Sequence, residues 1–280
     1  MKSITGRLLT TFVGLPCVAF IVFGLPQFGF LGFTILAMAA GYLGTKEVKS
    51  MIEKATHIQL YFPTWFGSLL PLATWAGWHL SVPQLPIIMF LIELLVTFVM
   101  ELKKGEADKP LFCNSINRMA YYTLLSVYPG FLLTYLVSVS QTNHGPSLLG
   151  LFFVCVFAND IFAFLCGMTF GKKNRGIVKV SPNKSVAGFI GGAIFAMIFA
   201  FLYCFVVFPQ IIGIGASLII GLLLSVFASI GDLVESEFKR NAQIKDSGNL
   251  IPGRGGAMDN LDSLVAAAPI FFLLIRFFKI

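Results

Sequence analysis

Charged side chains are scarce in this sequence. Asp, Glu, Lys and Arg make up 12% of its 280 residues, whereas 57% of the residues are hydrophobic. The mean hydropathy is +0.85. Too little polar surface remains to coat a water-soluble globule. The composition therefore excludes a chain that folds mainly in water, and it leaves no room for a separate soluble domain.

Metal-binding and nucleophilic motifs are also lacking. The five cysteines form no C-x-x-C pair, and the three histidines lie far from the acidic clusters. A zinc site and a Ser-His-Asp triad are therefore poorly supported. The stretch GKKNRGIV has no lysine after its second glycine, so it is not a P-loop. Three glycines are instead typical of close helix packing in a membrane: Gly188, Gly191 and Gly192.

Long apolar runs dominate the chain. A helix crosses the hydrocarbon core of a bilayer with roughly 20 mostly apolar residues. About nine such runs occur, at 8–24, 28–44, 60–79, 82–100, 119–139, 147–168, 187–208, 210–231 and 263–280. We therefore predict an all-α polytopic membrane protein with about nine transmembrane helices.

Basic residues alternate regularly with these runs. Eighteen of the 20 lysines and arginines lie before run one or after runs two, four, six and eight. Because basic loops stay on the cytoplasmic side during insertion, we predict a cytoplasmic N-terminus, an external C-terminus and a multi-pass protein of the inner (cytoplasmic) membrane. The net charge of +7 then reflects topology and anionic lipid headgroups, so we expect no nucleic-acid partner.

Two acids lie inside predicted spans, where an ionisable group costs on the order of 3 kcal/mol unless it is paired or functional. For Glu93, a helix-helix hydrogen bond and a role in chemistry remain open. Asp160 follows Asn159, which can hold its carboxylate and share its ligand, so a functional role is favoured there. In a transporter, both acids would be coupling sites near the membrane midplane.

The densest polar cluster runs from Gly231 to Ser263 and contains six of the 13 acids with four cations. Its first part places acids, a hydroxyl and cations at helical spacing: Asp232, Glu235, Ser236, Lys239 and Arg240. This stripe can hold a hard cation such as Mg²⁺ and reach its phosphate ligands, although an interfacial helix with ion pairs gives the same pattern. A Gly-rich turn follows at Asp246–Gly248 and Pro252–Gly256, and its backbone N–H groups can approach a phosphate.

These residues resemble the signature of the CDP-diacylglycerol synthases, also called phosphatidate cytidylyltransferases. One motif of that family is matched by Ser236, Lys239, Arg240, Lys245, Asp246, Gly248, Gly253, Gly255, Gly256, Asp259 and Asp262. A second is matched by Asn159, Asp160, Gly167, Phe170, Gly171, Lys172, Ser181, Pro182, Lys184, Ser185 and Gly188. The resemblance covers the C-terminal half; in the N-terminal half only Glu47 is similar to an acid of the family.

Three positions depart from the family pattern. Arg254 replaces the usual histidine, Asn260 the usual arginine, and Ala187 the usual glutamate. Arg254 can still contact phosphate and partly replace the charge missing at position 260, so an active, divergent enzyme is favoured over an inactive one.

The resemblance implies the reaction CTP + phosphatidate → CDP-diacylglycerol + diphosphate in phospholipid biosynthesis. It implies Mg²⁺ as cofactor and leaves open a second metal ion, K⁺ or Mg²⁺, beside it. It is also compatible with a homodimer. A related cytidylyltransferase with another lipid phosphate as substrate, a transporter, and a scaffold that binds CTP without turnover remain alternatives. Residues 1–140 would hold the first five spans of a single membrane domain. Residues 141–280 would form the catalytic region, with cytoplasmic loops 169–186 and 231–263.

The expected roles follow from the matched positions. The catalytic residues are expected to be Ser236, Lys239, Arg240, Lys245, Asp246 and Asp259. Substrate binding is expected of Asn159, Lys172, Ser181, Lys184, Arg254, Gly255 and Gly256. The metal ligands are expected to be Asp232, Asp246, Asp259 and Asp160.

Overall fold

The computed structural model describes residues 16, 19–24, 27–106, 108–250 and 255–280. Within these residues the chain forms helices and no strand. The α-helices are α1 (Gln27–Thr56), α2 (Phe66–His79), α3 (Leu85–Gly105), α4 (Ser115–Leu125), α5 (Leu132–Ser140), α6 (Gly145–Phe170), α7 (Val186–Val207), α8 (Ile214–Asn241) and α9 (Met258–Phe278). A π-helical turn, Ser126–Phe131, joins α4 to α5, and a 3₁₀ turn, Gly171–Lys173, follows α6.

Seven helical segments of the described chain are long and apolar enough to cross a membrane. They are Phe28–Thr56, Leu85–Gly105, Ser115–Ser140, Gly145–Lys173, Val186–Val207, Ile214–Asn241 and Met258–Phe278. The prediction of an all-α polytopic membrane protein is thus confirmed. The total of nine spans and the sides of the two termini stay predictions, because the first predicted span lies mostly outside the described residues.

The third predicted span, 60–79, is wrong in its length. Only the 14 residues of α2 are helical, and they rise about 21 Å, which is less than the roughly 30 Å of hydrocarbon. The preceding residues are apolar but not helical: Leu60 and Phe62 are buried, and Pro63 cannot donate a backbone hydrogen bond. The Glu53 carboxylate accepts the N–H of Leu60 at 2.8 Å, so side chains stabilise this coil.

Helix α3 shows an inverted distribution of polarity. Its buried residues are Glu93, Thr97, Glu101 and Gly105, spaced four apart. Before the two lysines of its last turn, its exposed side chains are large and apolar, including Ile88, Leu91, Leu95, Val99 and Leu102. A helix in water would place these groups the other way round. The arrangement fits a helix whose outer face meets lipid and whose polar stripe packs against protein.

Helices α6 and α7 pack closely because glycines line their contact. A Cβ at Gly188 would lie 2.8 Å from the backbone oxygen of Ala163, and one at Gly192 would lie 2.6 Å from Oδ1 of Asn159. Gly191 is equally tight against Cys166. The packing role predicted for the three glycines is therefore confirmed.

The chain forms two compact units. The first comprises Met1–Gln141 and Phe238–Leu261, and the second comprises Thr142–Glu237 and Asp262–Ile280. The segment 231–263 is therefore not a single loop. Its first eleven residues finish α8, its last six begin α9, and its parts belong to different units. The other predicted loop, 169–186, agrees with the interval between α6 and α7.

Candidate active site

The first unit holds a cluster built around Asp259, in the first turn of α9. Oδ1 of Asp259 lies 2.7 Å from Nζ of Lys239, which lies near the end of α8. Oδ2 accepts three hydrogen bonds, from the Ser247 backbone N–H at 2.7 Å, the Ser247 hydroxyl at 2.8 Å and the Gly256 N–H at 2.8 Å. Both carboxylate oxygens are thus engaged, and the predicted residues Lys239, Asp259 and Gly256 come together.

A second carboxylate, that of Glu47 in α1, reaches the same turn. It accepts the hydroxyl of Ser247 at 2.9 Å and the backbone N–H groups of Ala257 at 2.9 Å and Met258 at 2.8 Å. The first N–H groups of a helix have no partner within the helix and favour a negative charge. Sequence reasoning gave Glu47 no role and missed Ser247, because no local pattern signals a contact across some 200 residues of chain.

The glycines of this turn make room for the two carboxylates. Gly255 has φ +87°, a left-handed conformation that glycine adopts without strain, and a Cβ there would collide with the Asp259 carboxylate. A Cβ at Gly256 would collide with the Ser247 hydroxyl and with Glu47. A Cβ at Gly248 would lie 2.7 Å from Oε1 of Glu47. Two carboxylates inside the turn therefore explain the glycines.

The three residues that depart from the family pattern lie in different parts of the chain. Asn260 donates its side-chain amide to the backbone oxygen of Gly256 at 2.8 Å, so it supports the turn from inside. Ala187 lies in the first turn of α7. Arg254 lies outside the described residues, as do the neighbouring Pro252 and Gly253.

The second unit holds a polar group at Asn159 and Asp160 of α6. The Asn159 amide donates to Oδ1 of Asp160 at 3.0 Å, and its own Oδ1 accepts the Ser225 hydroxyl at 2.6 Å. Asn159 is buried. The asparagine thus holds its neighbouring carboxylate, as the sequence predicts, and Ser225 of α8 in turn orients the asparagine.

Asp232 of α8 contacts two other residues that the sequence predicts for the site. Its Oδ2 lies 2.6 Å from Nζ of Lys184, and its Oδ1 is 3.4 Å from the hydroxyl of Ser236. Asp160, Glu235 and Asp262 interact electrostatically with Asp232 or with one another. The Lys184 ammonium thus interacts with at least two of these carboxylates, those of Asp232 and Asp160.

The remaining predicted residues are more exposed. Lys172, Arg240, Lys245 and Asp246 present their side chains to the surface of the described structure. Ser181 is half-buried in the turn before Lys184, whose backbone N–H donates to the backbone carbonyl oxygen of Ser181 at 3.0 Å. Of these groups, Lys172, Lys245 and Asp246 are exposed to solvent.

The donor chemistry of both units fits a hard cation. Carboxylate, amide and hydroxyl oxygens are the ligands that Mg²⁺ prefers, and it is commonly held by one or two carboxylates together with substrate phosphates. Within the described residues, no group of three acid, histidine or cysteine side chains is close enough to hold a metal ion alone.

Glu93 differs from these clusters. It is buried in α3, and among the described residues neither of its carboxylate oxygens has a hydrogen-bond partner. Its neighbour Thr97 donates to the backbone oxygen of Leu94 at 2.9 Å. A helix-helix hydrogen bond and a role in chemistry therefore both stay predictions for Glu93.

Apolar spans that carry clustered carboxylates and lysines define a multi-pass membrane protein with charged sites that suit phosphate and metal ligands. The chain matches the model of the cytidylyltransferase family over residues 5–278. It belongs to this family, and the resemblance drawn from its motifs is confirmed. The family is one of nucleotidyltransferases, so the protein is assigned to that class of enzyme.

The chain is also similar to two phosphatidate cytidylyltransferases and to one uncharacterized protein. The chain is 31% identical to the phosphatidate cytidylyltransferase of Bacillus subtilis over 265 residues, covering 90% of this chain and 91% of the relative. It is 31% identical to the uncharacterized protein YnbB of Escherichia coli over 230 residues, covering 80% and 74%. It is 42% identical to the phosphatidate cytidylyltransferase of Haemophilus influenzae over 131 residues, covering 46% and 45%.

Proposed function

We propose that this protein is a CTP:phosphatidate cytidylyltransferase of phospholipid biosynthesis. A phosphate oxygen of phosphatidate attacks the α-phosphorus of CTP, and the bond from that phosphorus to the β-phosphate oxygen breaks. CDP-diacylglycerol forms and diphosphate leaves. The observation that carries the proposal is the family match along nearly the whole chain, together with the Bacillus subtilis relative that is aligned over nine-tenths of both proteins.

The charges of the first unit suit a triphosphate. Phosphoryl transfer depends mainly on positioning and on neutralising charge, so no histidine is required. We assign charge neutralisation to Lys239, Arg240 and Lys245, which follow one another at the end of α8 and just beyond it. Asp259 holds the ammonium of Lys239 in place at 2.7 Å, so this cation is fixed before the substrate arrives.

The phosphate-orienting and substrate-binding roles expected from the sequence are retained in the proposal. Ser236 and Ser181 would orient phosphate oxygens. The remaining substrate contacts are assigned to Asn159, Lys172, Lys184, Arg254, Gly255 and Gly256. In the described structure Lys184 is held by Asp232, so a phosphate that binds Lys184 has to compete with this ion pair.

Mg²⁺ is part of the proposal, and a second metal ion beside it, K⁺ or Mg²⁺, is left open. In the second unit we assign Asp232 and Asp160 as ligands, and in the first unit Asp246 and Asp259. Bound Mg²⁺ would neutralise phosphate charge and orient the oxygens around the reacting phosphorus. The carboxylates of this chain would hold the ion. Asp259 would first have to release one of its four present partners.

The proposal also covers location and assembly. We infer that the protein lies in the inner (cytoplasmic) membrane with its charged clusters on the cytoplasmic side, where CTP is present. The asymmetry of basic residues along the sequence supports this side. A homodimer is part of the proposal as well, on the family likeness alone, and light scattering of the detergent complex with subtraction of the detergent mass tests it.

A direct assay tests the function. Purified protein in detergent is mixed with labelled CTP, phosphatidate and Mg²⁺, and label in the lipid fraction is measured beside the Asp259→Ala variant. We expect lipid labelling with wild-type protein and a strong loss with the variant. No incorporation by the wild type, with varied lipid phosphates and metals, would remove the transferase assignment.

The same assay separates the alternatives. Labelling with a different lipid phosphate, and not with phosphatidate, would identify a related lipid cytidylyltransferase. Binding of CTP without labelled lipid would identify a scaffold. A transporter would depend on Glu93 and Asp160, and it would tolerate changes in the region 242–257.

A further inference from the structure

The role of Glu47 is not explained by stabilisation of a helix end alone. Its carboxylate collects three donors from two separate pieces of the turn: the hydroxyl of Ser247 and the N–H groups of Ala257 and Met258. Each of these bonds is to a charged acceptor, and bonds of this kind are roughly twice as strong as neutral ones. Glu47 thus joins the part of the turn at Ser247 to the beginning of α9.

Ser247 couples Glu47 to Asp259. Its oxygen lies 2.9 Å from Oε2 of Glu47 and 2.8 Å from Oδ2 of Asp259. A hydroxyl has one proton to donate, so the two carboxylates share a single donor. Moving the Glu47 carboxylate therefore changes the hydrogen bonding of Asp259, and Asp259 in turn holds Lys239.

The glycines of the turn also indicate a role for Glu47 beyond capping α9. The space at Gly248 and Gly256 is filled by the Glu47 carboxylate, so the backbone of the turn is shaped around a side chain from α1. A carboxylate that only capped α9 would need no glycine at position 248, which lies ten residues before that helix begins.

From these contacts we propose that Glu47 is a positioning residue for the transfer reaction. It sets the turn that contains Ser247 and Gly256, and through Ser247 it fixes Asp259 and its lysine partner Lys239. The inference rests on the proposed function, because a positioning role has meaning only for a reaction. Glu47 itself need not touch CTP or lipid.

Glu47→Gln is the first test. The substitution keeps the size of the side chain, but its NH₂ group has to face an N–H or O–H donor. We expect the kcat per folded molecule to fall about 100-fold, as a misplacement of about 1 Å can cause, with a much smaller change in the KM for CTP. Glu47→Asp keeps the charge and should recover about a tenth of the wild-type kcat, by the same geometric reasoning.

Glu53→Gln is the matched control. Glu53 lies on the same helix and also accepts a backbone N–H, that of Leu60, but it has no bond to the turn in the described structure. Its kcat should stay within about threefold of the wild type. A folded Glu47→Gln protein with kcat within the same threefold limit, or equal losses in both variants, would overturn the positioning role.

Two further measurements keep the test decisive. If Glu47→Gln does not fold, Ser247→Ala removes the shared hydroxyl alone; about a tenfold loss of kcat supports the proposal, and an unchanged kcat overturns it. If the wild type transfers no cytidylyl group, the proposed function fails, and trypsin cleavage after the exposed Lys245 still tests the contact. Cleavage in Glu47→Gln should be about ten times faster than in the wild type and in Glu53→Gln, and equal rates would overturn the proposal.

Discussion

Replacing Arg118 by methionine would expose the cost of an uncompensated charge in the first unit. The Arg118 guanidinium donates to Oε1 of Glu101 from Nε at 2.8 Å and from Nη2 at 2.6 Å. It also pairs with Asp108 at 2.6 Å. The Glu101 side chain is 0% exposed and that of Arg118 is 4% exposed. Ser115 and Tyr122 donate to the same glutamate at 2.9 Å each.

The magnitude follows from this burial. Arg118→Met leaves Glu101 with two neutral donors and no cation, and removing one partner of a buried ion pair costs about 3–5 kcal/mol. Loss of the partly exposed contact with Asp108 adds less than about 1 kcal/mol. Changing Glu101→Gln at the same time removes the stranded charge, so the double variant should recover about 2 kcal/mol over Arg118→Met.

Reversible unfolding by SDS in mixed micelles, followed by circular dichroism, gives both free energies of unfolding. The four proteins of the double-mutant cycle are compared in the same detergent. The reasoning is refuted if Arg118→Met lowers the free energy of unfolding by less than about 1 kcal/mol, or if the double variant is less stable than Arg118→Met.

Three further outcomes are expected. Gly256→Ala should lower the free energy of unfolding by about 1–3 kcal/mol, because the added methyl group overpacks a filled turn; unfolding in SDS measures it. Asp232→Asn should raise the Mg²⁺ concentration for half-maximal transfer about tenfold through loss of a ligand charge, which a metal titration of the transfer rate would show. The hydrogen bond from Arg118 holds the pKa of Asp108 below its usual range. The stability advantage of wild type over Asp108→Asn should therefore be full above about pH 5 and disappear as the pH falls through that lowered pKa, below about pH 4; unfolding curves across this range test the sign.

Hydropathy was sufficient to predict most helices, because a spanning helix needs a long apolar run. It failed at 60–79, where apolar residues are buried in a coil. Leu60 and Phe62 contribute as much hydropathy as residues of a helix. However, the backbone N–H of Leu60 donates to the Glu53 carboxylate and not to a helical carbonyl, and Pro63 has no N–H to donate. A running average of side-chain polarity cannot distinguish a buried coil from a buried helix.

The family resemblance predicted part of the candidate site. Lys239 and Asp259 were both expected to act, and they are paired in the structure. Ser247 was not identified, because a serine in a Gly-rich turn is an ordinary turn residue. The geometry of Glu47 was also beyond sequence reasoning, since its partners lie 200 to 211 residues away and a single chain carries no periodic signal for such contacts.

The inverted polarity of α3 has a consequence for biogenesis. A carboxylate in the middle of a lone helix resists entry into lipid by on the order of 3 kcal/mol, and Glu93 occupies such a position in α3. Its neighbours in the first unit bury it. We therefore expect α3 to become stable in the bilayer only once the segments that cover its polar stripe have also been inserted.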